Sequence, residues 1–259
     1  EASGDKAYWN QNSATYVAWN WKAGGSASSN TDGNVTSSVS VNQTAGFSIV
    51  TYTGTGSNTT VGHGLGVKPN FILFKKREGT SNWITYDSEN TATSYLHLNL
   101  TDAVASASTI YNNTEPTSSV FSIGTNSHVN TASGTYLAYC FAEKQGYSKI
   151  GSYTGNGNAN GTFLYLGFKP AFIIIKDLSS TDPWHMIDNK RSPINLMNAR
   201  LFPSNSNAEN TSADICDFVS NGIKFRGTND GFNGSRTYMY MAFAESPFVN
   251  SNKVPNNAR

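Results

Sequence analysis

The feature that most constrains this chain is that it repeats itself. Setting Tyr52 over Tyr153 gives a constant offset of 101 residues that runs without gaps to Asp87 over Asp188. Along it Tyr52-Thr53-Gly54 meets Tyr153-Thr154-Gly155, Leu65-Gly66 meets Leu166-Gly167, and Lys68-Pro69 meets Lys169-Pro170. Lys75, Trp83 and Asp87 meet Lys176, Trp184 and Asp188. After one inserted residue the match resumes, Thr135-Tyr136 and Phe141-Ala142-Glu143 falling over Thr237-Tyr238 and Phe243-Ala244-Glu245. A period of this length is one small domain, so any fold must be one that a duplicated module of about 100 residues can form twice.

The closing phrase occurs a third time, at Thr15 to Ala23, with no unit ahead of it. The reading is therefore the closing strand of a truncated preceding repeat (1–23), a Gly/Ser/Thr/Asn-rich polar linker (24–45), one repeat (46–145) and a second repeat with a C-terminal tail (146–259). The chain reads as a fragment of a longer tandem array. A lone closing strand cannot satisfy its backbone, so residues 15–22 are expected to pair into a neighbouring sheet, within the chain or across a subunit interface.

Within each repeat, apolar and polar residues alternate in short runs bounded by Gly, Asn, Ser or Pro: Gly46 to Gly54, Asn70 to Lys76, Trp83 to Asp87, Tyr95 to Leu100, Ser119 to Gly124 and Thr135 to Glu143. Period two with β-branched and aromatic residues predicts antiparallel strands. The best helical candidate, Thr101 to Thr109, is short. The expected class is all-β, two tandem antiparallel β-sandwich, jelly-roll-like units with a leading strand from the truncated unit.

Composition then narrows the partners. Only 14% of residues are charged and the net charge is +1, so no polybasic face can neutralise phosphates, and nucleic acid is not an expected partner. Asn, Ser and Thr number 31, 32 and 26, which predicts a polar but uncharged surface. No apolar run approaches the roughly 20 residues of a membrane helix, and no membrane insertion is expected. Cys140 and Cys216 are too few for a disulfide framework, and Cys140, in a dense run of β-formers, reads as a buried free thiol.

The phrases Thr15-Tyr-Val-Ala-Trp-Asn-Trp-Lys-Ala-Gly-Gly25, Gly46-Phe-Ser-Ile-Val-Thr-Tyr-Thr-Gly54, Val61-Gly-His-Gly-Leu-Gly-Val-Lys-Pro69 and Tyr139-Cys-Phe-Ala-Glu143 resemble an uncharacterised repeat family of virion-associated proteins of marine bacteriophages, tail and appendage proteins among them. The resemblance covers nearly the whole chain. It implies a structural or host-attachment role in the virion, exposed outside the cell, with host cell-surface polysaccharide and other virion proteins as partners and a homo-oligomeric state. It supplies no catalytic residues and no cofactor.

For chemistry, Gly62 to Gly66 looks like a phosphate loop but leads into Lys68-Pro69 and a strand, with no helix to receive an anion. Gly66 and Gly167, the shared positions, suit a turn with positive φ. Trp83 and Asp87, like Trp184 and Asp188, lie four residues apart in a strand and so share a face, about 13 Å apart. Exposed, such a Trp stacks on a sugar ring while the carboxylate accepts hydroxyl bonds, with Tyr86 nearby. Buried, the Trp fills the core and the Asp opens the following turn. The packing reading is preferred because the pair recurs in both units. His63 is unmatched in the second unit, and a satisfied structural role is preferred for it over a ligand contact. The candidate ligand-binding set is thus Trp83, Tyr86, Asp87, His63, Trp184 and Asp188, with no catalytic or metal-binding residues and no cofactor expected. The alternative to a non-enzymatic attachment protein is a polysaccharide depolymerase using an acid pair such as Glu143 with Asp87, or Asp188 with Glu245, in a cleft between the units.

Overall fold

The computed structural model describes residues 11–247. The first half contains β1 (Ser28–Asn30), β2 (Ser37–Asn42), β3 (Phe47–Thr53), β4 (Thr59–Gly62), β5 (Phe71–Lys76), β6 (Ile84–Asp87), β7 (Ser94–His97) and β8 (Ala105–Ser106). There follow helix α1 (Ser108–Tyr111), β9 (Val120–Ile123), helix α2 (Ser127–Asn130) and β10 (Thr135–Phe141). The second half contains β11 (Ser148–Thr154), β12 (Phe163–Tyr165), β13 (Pro170–Asp177), β14 (His185–Asp188), β15 (Arg200–Leu201), β16 (Cys216–Val219), β17 (Gly222–Phe225) and β18 (Thr237–Ala244). The protein is all-β, as the alternation predicted, and every named strand pairing is antiparallel.

The strand order β3-β10-β5-β6-β7 in the first large sheet recurs as β11-β18-β13-β14-β15 in the second. A small sheet covers the inner face of each, β4-β9 in the first half and β12-β17-β16 in the second. The inner cores follow from period two. Val50, Tyr52, Phe74, Ile84 and Tyr136 meet Val61, Phe121 and Ile123 in the first. Tyr153, Ile173, Ile187 and Tyr238 meet Leu164, Phe218, Ile223 and Phe225 in the second. Each buried aliphatic or aromatic side chain of this kind contributes about 1.5–3 kcal/mol. The Tyr of the shared Tyr-Thr-Gly phrase does the same work twice. Tyr52 stacks on Tyr136 at 5.3 Å and Tyr153 on Tyr238 at 5.1 Å, and their hydroxyls donate to Val129 O and Phe232 O. Gly66 and Gly167 adopt φ of +73° and +79°, the conformation their conservation between the two repeats suggested.

The outer faces of the two large sheets pack on each other. Phe47, Phe71, Leu96 and Phe141 from the first meet Ile150, Phe172, Ile174, Trp184, Met239, Met241 and Phe243 from the second. Hydrogen bonds fix this junction, with Trp184 Nε1 donating to His97 O at 2.8 Å, Val104 N to Leu178 O at 3.1 Å, and Ser152 Oγ to Glu89 Oε2 at 2.8 Å.

Three expectations change. Residues 24–45 are not a linker: β1 and β2 lie there, and β2 pairs along β3 from Ser38↔Thr51 to Asn42↔Phe47. Their small side chains hid a strand that needs no bulk, because its hydroxyls bond locally, Ser37 Oγ donating to Gly62 O and Ser40 Oγ to Gly25 O. Residues 15–22 form no ladder; Trp19 and Trp21 instead wedge into the junction between the large sheets. Thr101 to Thr109 forms no continuous helix: it includes β8, and the helical turn begins only at Ser108.

Candidate functional site

The six sequence candidates do not converge. Trp83 and Trp184 stand just ahead of β6 and β14, which end at Asp87 and Asp188, and both tryptophans lie at the junction between the large sheets. Trp184 has no exposure at all, and Trp83 is half-buried on the wall of an apolar cavity. Trp184 is therefore no sugar platform. The aspartates open turns. Asp87 Oδ1 accepts from the backbone N–H of Glu89 and Asn90 and from the Asn90 side chain. Asp188 Oδ1 accepts from Lys190 N and Arg191 N, and its Oδ2 pairs with Arg191 Nε at 2.7 Å. Tyr86 is buried and donates to Glu115 Oε2 at 2.6 Å. His63 is fully buried, with Leu65 N donating to Nδ1 and Nε2 set 3.2 Å from Thr117 O, the tautomer in which Nε2 carries the proton. Burial holds its pKa below the ordinary imidazole value. It is a satisfied structural histidine.

The repeat-equivalent acids are likewise engaged within the protein. Glu143 Oε1 accepts from Ile150 N at 2.7 Å, and burial raises its pKa. Glu245 is held by Lys169 at 2.8 Å and by the Asn189 amide at 2.8 Å. Both cysteines are free and buried, and burial pushes the Cys140 thiol up to about 12, leaving it unreactive.

The exposed chemistry lies elsewhere, on β12. Its side chains alternate, Leu164 entering the core while Phe163 and Tyr165 point outward at 46% and 58% exposure. Two residues along a strand set these rings about 7 Å apart on one surface. β12 is the edge of its sheet and pairs with β17, placing Lys224 opposite Phe163 and Gly222 opposite Tyr165. Gly222 sets no side chain beside the Tyr165 ring. Lys149 lies over that ring, its Nζ 5.3 Å from the ring centroid and donating to Tyr165 O at 2.9 Å. Lys224 Nζ donates to Gly161 O, and Arg226 pairs with Asp217 at 2.6 Å on the same sheet.

The first half treats the equivalent surface in the opposite way. Gly62 and Gly64 stand where Phe163 and Tyr165 stand in the second. Residues of the β1–β2 region lie directly over them. A Cβ at Gly62 would sit 1.6 Å from Asn30 Oδ1, and one at Gly64 would sit 3.1 Å from Val39 Cγ1. Among the described residues nothing covers the second half in this way. The signal in the sequence is an aromatic pair in one repeat set against two glycines in the other.

A family profile described as a domain of unknown function, DUF7483, matches residues 1–247. The chain belongs to this family. No curated protein and no solved structure matches it. The DUF7483 match takes in both halves and the wedge segment ahead of β1, so it covers every element described above. Among the described residues no helix is long and apolar enough to cross a membrane, and no three His, Cys, Asp or Glu side chains are grouped to hold a metal ion. Chemically, the β12 surface offers two exposed rings, flanked by Lys149 and Lys224 and by the Arg226–Asp217 pair. This set suits the stacking and hydrogen bonding of a ring with an apolar face and a hydroxylated edge.

Proposed function

We propose that this DUF7483 chain is a non-enzymatic virion protein of a bacteriophage, a structural or appendage component that helps attach the particle to host-surface polysaccharide. The sequence resemblance and the nearly neutral, amide- and hydroxyl-rich composition support the virion setting. The observation that carries the attachment reading is the exposed Phe163–Tyr165 pair, present in one repeat where the other is glycine and covered. The depolymerase alternative draws no support from the acids it would use, since Asp87, Asp188, Glu143 and Glu245 are each bonded to a partner of their own.

Ring stacking contributes about 0.5–1.5 kcal/mol per contact beyond area burial, so a single chain should bind weakly and gain avidity by display in several copies. In titrations with bacterial surface polysaccharides, Tyr165→Ala should weaken binding about tenfold, which is about 1.4 kcal/mol, and Phe163→Ala should do the same. Neither should shift the unfolding temperature by more than about 2 °C, because both rings are already largely in water. Undiminished binding by the double variant would remove the site. Absence of the chain from purified particles, by mass spectrometry, would remove the virion setting, and steady release of reducing ends would return the depolymerase reading.

A further inference from the structure

The inner core of the second half holds a positive charge that nothing near it answers. Arg200 lies on β15 opposite Ile187 of β14 and is only 8% exposed. Its Cζ sits 5.5 Å from the Phe202 ring centroid and 5.8 Å from that of Phe232. Nε and Nη1 are buried and, among the described residues, have no acceptor. Arg191, Arg226 and Arg236 of the same half each meet a carboxylate, whereas Arg200 meets none among the described residues. His185 stands against the same two rings, 5.4 Å from Phe202 and 6.1 Å from Phe232. It is 3% exposed, and neither of its ring nitrogens has a partner among the described residues. Burial, with the positive charges of Arg200 and Lys176, pushes its pKa down to about 3, so the ring is uncharged at neutral pH.

The fold itself does not ask for these groups. The constant offset sets His185 over Ile84. Thr85↔Leu96 and Met186↔Leu201 are equivalent strand pairs, which sets Arg200 over Tyr95. Ile84 is fully buried in the first inner core and Tyr95 packs against that core, so the first repeat fills the same corner with an isoleucine and a tyrosine. A guanidinium taken out of water without a counter-charge is strongly unfavourable. Water can accept from Nε and Nη1 but brings no charge, and only an anion answers both needs.

We propose that Arg200 and His185 form an anion site whose ligand is a small carboxylate. A single guanidinium calls for a single negative charge, and its planar array of N–H groups matches a carboxylate with two parallel bonds. The neutral imidazole has one N–H to add as a further donor. The Phe202 and Phe232 rings select against a strongly hydrated dianion such as phosphate, whose desolvation one guanidinium does not offset. Gly231 leaves the His185 edge open to its neighbours' backbone, since a Cβ there would stand 2.4 Å from His185 Nε2. The site lies near the surface: Phe202 and Pro203 are half-buried, and Ser206 to Glu209 are exposed. It is separate from the Phe163–Tyr165 surface, which belongs to another sheet, and it stands independently of the attachment reading.

The test is thermal unfolding at neutral pH as acetate replaces chloride at constant ionic strength, with phosphate replacing chloride in a second series. Once acetate exceeds its dissociation constant, the unfolding temperature should rise by about 3–5 °C for each tenfold increase, while phosphate gives no such rise. Arg200→Met should abolish the acetate response, and His185→Ile, which installs the residue of the first repeat, should move it to about tenfold higher acetate. No response to acetate, an equal response to phosphate, or an undiminished response in Arg200→Met overturns the proposal. Should Arg200→Met not fold, Arg200→Lys decides, because it keeps the charge and loses the planar donor array. Its response should need at least about tenfold more acetate, and an unchanged response overturns the site.

Discussion

Replacing Trp184 by alanine should lower the unfolding temperature by about 8–16 °C, the largest effect expected of any single substitution at the tryptophans. The indole is wholly buried between the two large sheets, and deleting a buried aromatic side chain costs about 3–5 kcal/mol once the cavity it leaves is included. At about 2–4 °C per kcal/mol for a chain of this size, a loss near 4 kcal/mol gives that range. The substitution also removes the N–H bonded to His97 O, which ties one half of the molecule to the other. Trp184→Phe keeps most of the packing and should lose only about 1–2 kcal/mol. Trp83→Ala, at a half-buried position on a cavity wall, should lose about 1 kcal/mol. Differential scanning calorimetry checks all three. Equal, small effects for Trp184→Ala and Trp83→Ala would mean that the interface between the sheets is not formed in solution.

The second large effect belongs to Asp188. Asp188→Ala should destabilise by about 3 kcal/mol, because it strands Arg191, and removing one partner of a buried ion pair leaves an uncompensated charge. Arg191 keeps Met186 O and Glu209 as partners, which places the loss at the low end of the usual range. Asp87→Ala in the first half should cost less, since its donors are all neutral.

The two aspartates should also respond oppositely to acid. Burial alone would raise the Asp188 pKa, but hydrogen bonds from the Arg191 backbone and guanidinium, with the Arg191 charge, outweigh it and hold the carboxyl below its ordinary value. Its contribution is therefore complete above the unfolded value of about 3.9 and is lost as pH falls through the lower folded value. Asp87 is raised by burial beyond what the Asn90 and Glu89 donors recover, so it opposes folding at neutral pH and ceases to do so as pH falls through its raised folded value. Asp188→Asn should accordingly flatten the loss of stability below about pH 4. Asp87→Asn should remove a gain between neutral pH and about pH 4. Urea unfolding across that range gives both slopes, and parallel slopes for the two variants would contradict the environments described.

Much of the fold was legible because period two is a local property. The strands at Gly46 to Gly54, Asn70 to Lys76 and Thr135 to Glu143 stand close to where alternation put them, and His63 and the turn-opening aspartates took the structural roles preferred for them. β2 escaped because Ser37 to Asn42 carries too little apolar bulk to register as a strand, although its hydroxyls can satisfy themselves on nearby carbonyls. The β12 surface escaped for a different reason. Phe163-Leu-Tyr165 alternates in the same way whether its rings face solvent or another layer, and among the described residues the second half has no β1–β2-like cover over them.

The residues alone determined that this is a duplicated antiparallel β protein, and where its shared glycines turn. Alternation fixes which side chains share a face, because successive residues in a strand point to opposite sides. Whether that face meets water, a small covering sheet or the other large sheet depends on contacts between segments 100 residues apart, and period two is the same in all three cases. Only the tertiary structure could therefore decide that Trp184 is interior and that Tyr165 is not.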